Sequence, residues 1–201
     1  MDLLKFSALL ILLLFCSCSH EYVRPENYQN PQVSINTDVG SIICELYEDK
    51  VPNTVASFIS LTESGFYDDM LFHFIKSGIF VQGGCPNTKI GAKGRPGSGH
   101  PGYQIKEEIL PELSHDSRGI LSMAKRPEPN TTGSQFVILF DKLQSHDGKQ
   151  TVFGKVIKGH EVLNFIEKMG SEKGRPKREI VFSIKILRKN AIDYHFDKIE
   201  K

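Results

Sequence analysis

His73 and Gln82 stand within LFHFIKSGIFVQGG (71–84), and a second carboxamide, Gln135, follows in TGSQFVILF. His146 and Gln150 flank an Asp147–Gly148 turn. Imidazoles and carboxamides both donate and accept hydrogen bonds. The chain has no HExxH, no CxxC and no motif-supported Ser-His-Asp order, which removes the usual signatures of zinc, redox and acyl-transfer chemistry. GAKGRPGSG (91–99) has the composition of a phosphate-binding loop. It lacks the Gly-Lys-Ser/Thr ending and the helix N-terminus that would supply amide donors.

The elements that must position these groups are mostly short strands. Val33–Asn36 and Ser41–Tyr47 form a hairpin pattern around TDVG, and MLFHFI and GIFVQGG are two further strand-like pieces. GILSMAK, SQFVILF, TVFGKVI and REIVFSIKILR continue the series. Two helices interrupt it. One begins at Pro52, with Val55, Phe58, Ile59 and Leu61 on one face, and stops at Gly65. The other is HEVLNFIEKM, with Val162, Leu163, Phe165, Ile166 and Met169 as its apolar side, ended by Gly170. Glycine and proline crowd 86–103, which reads as an irregular surface loop. Many short strands and only two helices predict a mainly β barrel or sandwich.

Of 201 residues, 25 are Lys or Arg and 24 are Asp or Glu, a net charge of +1 that gives no basic face for nucleic acid. The N-terminus is different material. From Leu3 to Phe15 only Lys5 and Ser7 are polar, the pattern of a secretion signal. The CSCS that follows resembles a bacterial lipobox, in which Cys18 after Ser17 fits as the lipidated residue better than Cys16 after Phe15. Ser19 in place of aspartate favours the outer membrane. The expected organisation is a lipoprotein signal peptide at 1–17, a lipidated Cys18 with a tether to residue 32, a folded domain at 33–187 and a charged extension at 188–201. Cys44 and Cys85, the cysteines left in the mature chain, are expected to be unpaired.

Five blocks then occur in the order and spacing of one family: YDDMLFHFI…FVQGG, HPGYQIKEEI, GILSMAK, PNTTGSQFVI and DGKQTVFGKV. The chain resembles the cyclophilin-type peptidyl-prolyl cis-trans isomerases over Val33 to Leu187. The resemblance implies a closed eight-stranded antiparallel β-barrel capped by two α-helices, with no cofactor and no metal. It also implies proline-containing polypeptides as partners and a monomer. In the family the glutamine of QGG is a hydrogen-bonding pocket residue and the alanine after LSM borders the substrate backbone. Those positions are Gln82 and Ala124, and His73, Gln135 and Phe136 also match.

The departures fall on the same surface. Phe74 stands where the family carries its catalytic arginine. Ile79 replaces an aromatic wall of the proline pocket, which Phe80 refills in part, and Val137 replaces a second phenylalanine. Ser145 stands where many members have tryptophan, His146 where they have leucine and Gln150 where they have histidine. The nearest cations are Lys76, Lys125 and Arg126.

Rotation about an X–Pro bond faces a barrier of ~18–20 kcal/mol. The twisted nitrogen becomes a better acceptor, so a cation aimed at it stabilises the transition state selectively. Such a donor contributes ~2.7–4 kcal/mol, roughly a hundred- to a thousandfold in rate. Phenylalanine donates nothing. Two functions remain open at this point: an envelope-located, lipid-anchored isomerase of reduced activity that assists folding, and a non-catalytic proline-peptide-binding or holdase module on the same scaffold.

Overall fold

The computed structural model describes residues 28–199; the signal peptide, Cys16 and Cys18 lie outside them. The chain forms β1 (Gln32–Thr37), β2 (Gly40–Leu46), α1 (Pro52–Glu63), β3 (Met70–Leu71), β4 (Phe74–Lys76) and β5 (Phe80–Gly83). Then follow β6 (Ile120–Met123), β7 (Phe136–Leu139), β8 (Val152–Lys158), α2 (His160–Lys168) and β9 (Val181–Arg188). All nine strands share one antiparallel sheet in the order β3-β9-β1-β2-β8-β6-β7-β5-β4.

This architecture corrects the closed eight-stranded barrel expected above: the sheet has nine strands and two open edges. The edge strands β3 and β4 are separated in the chain only by Phe72 and His73, yet no ladder joins them, so the sheet is curled but open. A loop occupies the seam instead. Ile75 N–H donates to the Gly174 carbonyl (2.8 Å) and Phe72 N–H to that of Ile180 (3.1 Å). Between those acceptors lies Pro176, which has no N–H to offer a ladder.

Hairpin geometry fixes the β1–β2 register. Thr37 Oγ1 donates to the Gly40 carbonyl (2.7 Å) and accepts from Val39 N–H (3.1 Å). The first helix lacks a local side-chain cap. Its cap comes from Glu108, whose carboxylate accepts from Asn53 N–H (3.1 Å) and Thr54 N–H (2.7 Å). A carboxylate there also complements the positive end of the helix. Val162, Leu163 and Ile166 of α2 are buried. Phe165, expected among them, is 40% exposed with the Arg178 guanidinium 5.6 Å from its ring centroid.

Aromatic side chains fill the centre. Phe58 of α1 lies 5.0 Å from Tyr67, 5.1 Å from Phe153 and 5.6 Å from Phe136, ring centre to ring centre. Phe72 stacks on Phe182 at 4.4 Å, and both rings press on Gly83, where a Cβ would lie 2.8 Å from Phe182. Cys44 and Cys85 are buried and free, and burial pushes the Cys44 thiol far above its ordinary pKa. Residues 189–199 wrap back over the domain. Tyr194 packs on the core, Tyr103 and Phe196 meet at 5.3 Å, and Ile199 exchanges both backbone hydrogen bonds with Gln104 (3.1 and 2.7 Å).

Candidate functional site

Strand pairing brings the sequence-selected residues together. Phe74 of β4 pairs with Gln82 of β5, and Gln82 pairs with Val137 of β7. Gln135 precedes β7, and its carbonyl accepts from Ala124 N–H (2.9 Å). Gln82 Nε2 donates to Gln135 Oε1 (2.9 Å). Gln135 Nε2 donates to the carbonyls of Gly97 and Gly99, both at 2.9 Å. Cys85 Sγ accepts from the N–H groups of the same two glycines at 3.2 and 3.3 Å. The glycine-rich loop is thus tied to the sheet at the glutamine pair. Tyr67 holds the approach to β7 from below, through its hydroxyl on the Ser134 carbonyl (3.0 Å).

Beside the glutamines lies a small apolar cluster separate from the main core. It contains Ile120, Val137, Leu139 and Val152, with Phe80, Ala124 and Leu143 packed on it partly exposed. Ile79 lies outside this cluster, in the β4–β5 turn, where its carbonyl accepts from Phe140 N–H (2.9 Å). Phe136 faces the other way, wholly buried among Phe58, Tyr67 and Phe182. Its contribution to the site is therefore to anchor its neighbour Gln135.

The Phe74 ring is partly exposed and lies 5.8 Å from Phe80. Its other side is against Gly174, where a Cβ would come within 2.1 Å of it. Lys125 is paired with Glu107 at 3.1 Å and largely covered. His146 and Gln150 line a second groove with Lys125 and Arg126. Burial lowers the His146 pKa, with the neighbouring His115 adding to the effect.

One hydrogen-bonded chain escaped the sequence reading. Asp147 Oδ1 accepts from His115 N–H (2.7 Å) and lies 2.9 Å from His115 Nδ1, while His115 Nε2 lies 2.9 Å from Ser122 Oγ. The residues are those of an acyl-transfer triad, but Ser122 has no exposed surface and His115 is 1% exposed. No substrate reaches that hydroxyl. The chain instead clamps the loop carrying His146 and Gln150 onto β6, and Leu143 N–H on the His115 carbonyl (2.7 Å) completes the clamp. Local spacing carries no signal for it, since its three members come from separate segments.

His73 is mostly buried, and its Nδ1 has no partner among the described residues. Burial outweighs a backbone hydrogen bond with Leu71 and lowers its pKa from 6.5 to about 4. The unfolded chain therefore takes up this proton first. Stability is complete above pH 6.5, falls as pH drops toward 4 and is level below that for this group. The loss should reach about 3 kcal/mol, seen as a falling urea midpoint, and His73→Asn should flatten that part of the profile. An unchanged profile in the variant would assign the acid sensitivity to other groups.

A family model, cyclophilin type peptidyl-prolyl cis-trans isomerase, matches residues 32–188. Peptidyl-prolyl cis-trans isomerase CYP18-2 of Arabidopsis thaliana is 40% identical over 170 residues, covering 85% of this chain and 98% of the relative. A 42% identity over 149 residues links the chain to CYP18-1 of the same plant, covering 74% and 90%. Among solved structures, a cyclophilin type peptidyl-prolyl cis-trans isomerase of Cryptosporidium parvum superposes with a TM-score of 0.73 at 35% identity, covering 81% of this chain and 100% of that one. A second crystal structure of that isomerase, obtained in the presence of the dipeptide Ala-Pro, gives 0.71 at 36%, covering 79% and 99%. Matched by the family model over residues 32–188 and by relatives at 40% identity across most of both chains, this chain belongs to the cyclophilin-type peptidyl-prolyl cis-trans isomerases.

Proposed function

We propose that the protein binds proline-containing segments of other polypeptides and isomerises their X–Pro bonds slowly, assisting folding in a bacterial envelope to which a lipid on Cys18 anchors it as a monomer. The observation that carries this reading is the Gln82–Gln135 pair beside the apolar cluster of Phe80 and Val137. The Ala-Pro dipeptide used with the Cryptosporidium relative is a ligand of matching chemistry.

In this reading the cluster takes the proline ring and Gln82, whose second amide N–H and carbonyl oxygen have no partner among the described residues, holds the flanking backbone. Desolvation of the ring and fixed orientation of the chain favour rotation. The cation that would stabilise the pyramidal nitrogen is missing at Phe74. Uncatalysed isomerisation takes tens of seconds at room temperature, so even a modest acceleration is measurable by exchange spectroscopy on an X–Pro peptide. Binding with a measurable but small acceleration supports the proposal. Binding with no acceleration favours the holdase alternative, which the Phe74 ring between Gly174 and Phe80 also supports. No binding to any proline peptide would remove both.

The anchor has its own test. Cys18→Ser should move the protein from the membrane fraction to the soluble one, whereas Cys16→Ser should leave it attached. Continued attachment of the Cys18 variant would overturn the assignment.

A further inference from the structure

A cavity of about 100 Å³ opens beside the glutamine pair, between the 97–100 turn and the segment 124–135. Its size suits a group somewhat smaller than benzene, which fills an engineered cavity of ~150 Å³. The walls are polar. Gln82, Ser98, His100, Lys125, Arg126 and Gln135 contribute to them, and no acidic side chain does.

The hydrogen-bonding capacity of these groups is spent unevenly. Both N–H groups of Gln135 and its side-chain oxygen are engaged. The charge on Lys125 is met by Glu107 at 3.1 Å, a carboxylate that also accepts from Asn130 N–H (2.7 Å). Arg126 is different. Its backbone is tied at both ends to Thr131 Oγ1, at 3.0 and 3.3 Å, which fixes where the side chain starts. Its guanidinium has no hydrogen-bond or ion-pair partner among the described residues, and Arg126, an exposed residue, belongs to the wall of both this cavity and the neighbouring groove with His146 and Gln150. Five planar N–H donors and a full positive charge are left unmatched at the rim of a space of side-chain size, and a carboxylate is the group that complements them.

We propose that this cavity accepts an acidic side chain of the bound polypeptide, so that the protein selects proline segments with aspartate or glutamate close to the proline, through Arg126. The proposal rests on the reading that the chain binds proline-containing polypeptides. An arginine on a groove wall is partly solvated, so the expected selectivity is moderate, about fivefold to tenfold, and sensitive to salt.

The test uses fluorescent peptides with one X–Pro bond, in which Asp, Glu, Ala or Lys is placed in turn at each of the three positions before the proline. Affinities are measured by anisotropy at low and at physiological salt. At one position the acidic peptide should bind about fivefold tighter than the alanine peptide and the lysine peptide more weakly, with the differences narrowing in salt. Arg126→Ala should bring the acid-to-alanine ratio close to one, and Arg126→Lys should keep part of it. Equal affinity for acidic, neutral and basic peptides at every position overturns the acidic preference while leaving proline-peptide binding intact. An undiminished ratio in Arg126→Ala overturns the assignment to this cavity. If no peptide binds, the binding function fails and the preference with it.

Discussion

Phe74→Arg should raise the rate of X–Pro isomerisation by about a hundredfold, the lower end of what a single preorganised donor to transition-state charge contributes. The position is already built for it. Phe74 pairs with Gln82 on the face that carries the glutamine pair, so an arginine would start from the backbone point nearest the site. The ring is partly exposed, and it presses on Gly174, which has no side chain to displace. Removing it should cost little stability. Two controls separate the donor from the space: Phe74→Leu should leave the rate unchanged, and Phe74→Lys should recover less than arginine because its charge lacks the planar fork. A folded Phe74→Arg protein that still binds proline peptides but gains no rate would mean that the apolar cluster holds the ring away from this strand. Full family rates in the unaltered protein would show that another cation already serves, and Arg126→Ala and Lys125→Ala would identify it.

Phe58→Ala should be the most destabilising of the simple core truncations, costing about 3–5 kcal/mol. Phe58 is 1% exposed and its ring meets Tyr67, Phe136 and Phe153 at once. A helix contributes this ring and strands contribute two of its neighbours, so collapse cannot fill the void without moving α1 off the sheet. Against a typical total of 5–15 kcal/mol, most of the stability of a marginal domain would be lost. The effect should be read as a fall in the free energy of urea unfolding with little change in slope. Phe58→Leu should cost much less. A loss under ~1 kcal/mol for Phe58→Ala would mean the cluster repacks around the gap.

Local patterns were legible where one residue type answers one physical need. Pro52 and the 3.6-residue apolar face marked α1, and TDVG marked the first hairpin. MLFHFI was harder, because its continuous apolar character hides a change of edge: Met70 and Leu71 pair with β9, whereas Phe74 to Lys76 pair with β5. Phe165 satisfied the helical period yet emerged at the surface beneath Arg178, since the face that α2 buries is narrower than its apolar arc. At the site, Gln82, Ala124 and Gln135 were found through motifs and do converge. The Asp147–His115–Ser122 chain and the Glu108 cap were not found. Each joins residues far apart in sequence, and no local period encodes such a partner.

The place of β9 in the sheet has a consequence for synthesis. It is the last strand made, and it pairs with β1, one of the earliest, as well as with β3. A chain still on the ribosome has its hairpin of β1 and β2 but no partner for the outer side of β1, and the Phe72–Phe182 stack is absent. Long-range ladders of this kind are slow to form, and unpaired strand edges invite association with other chains. The domain therefore has little reason to settle before residue 188 emerges, and the growing polypeptide stays open to chaperones until then.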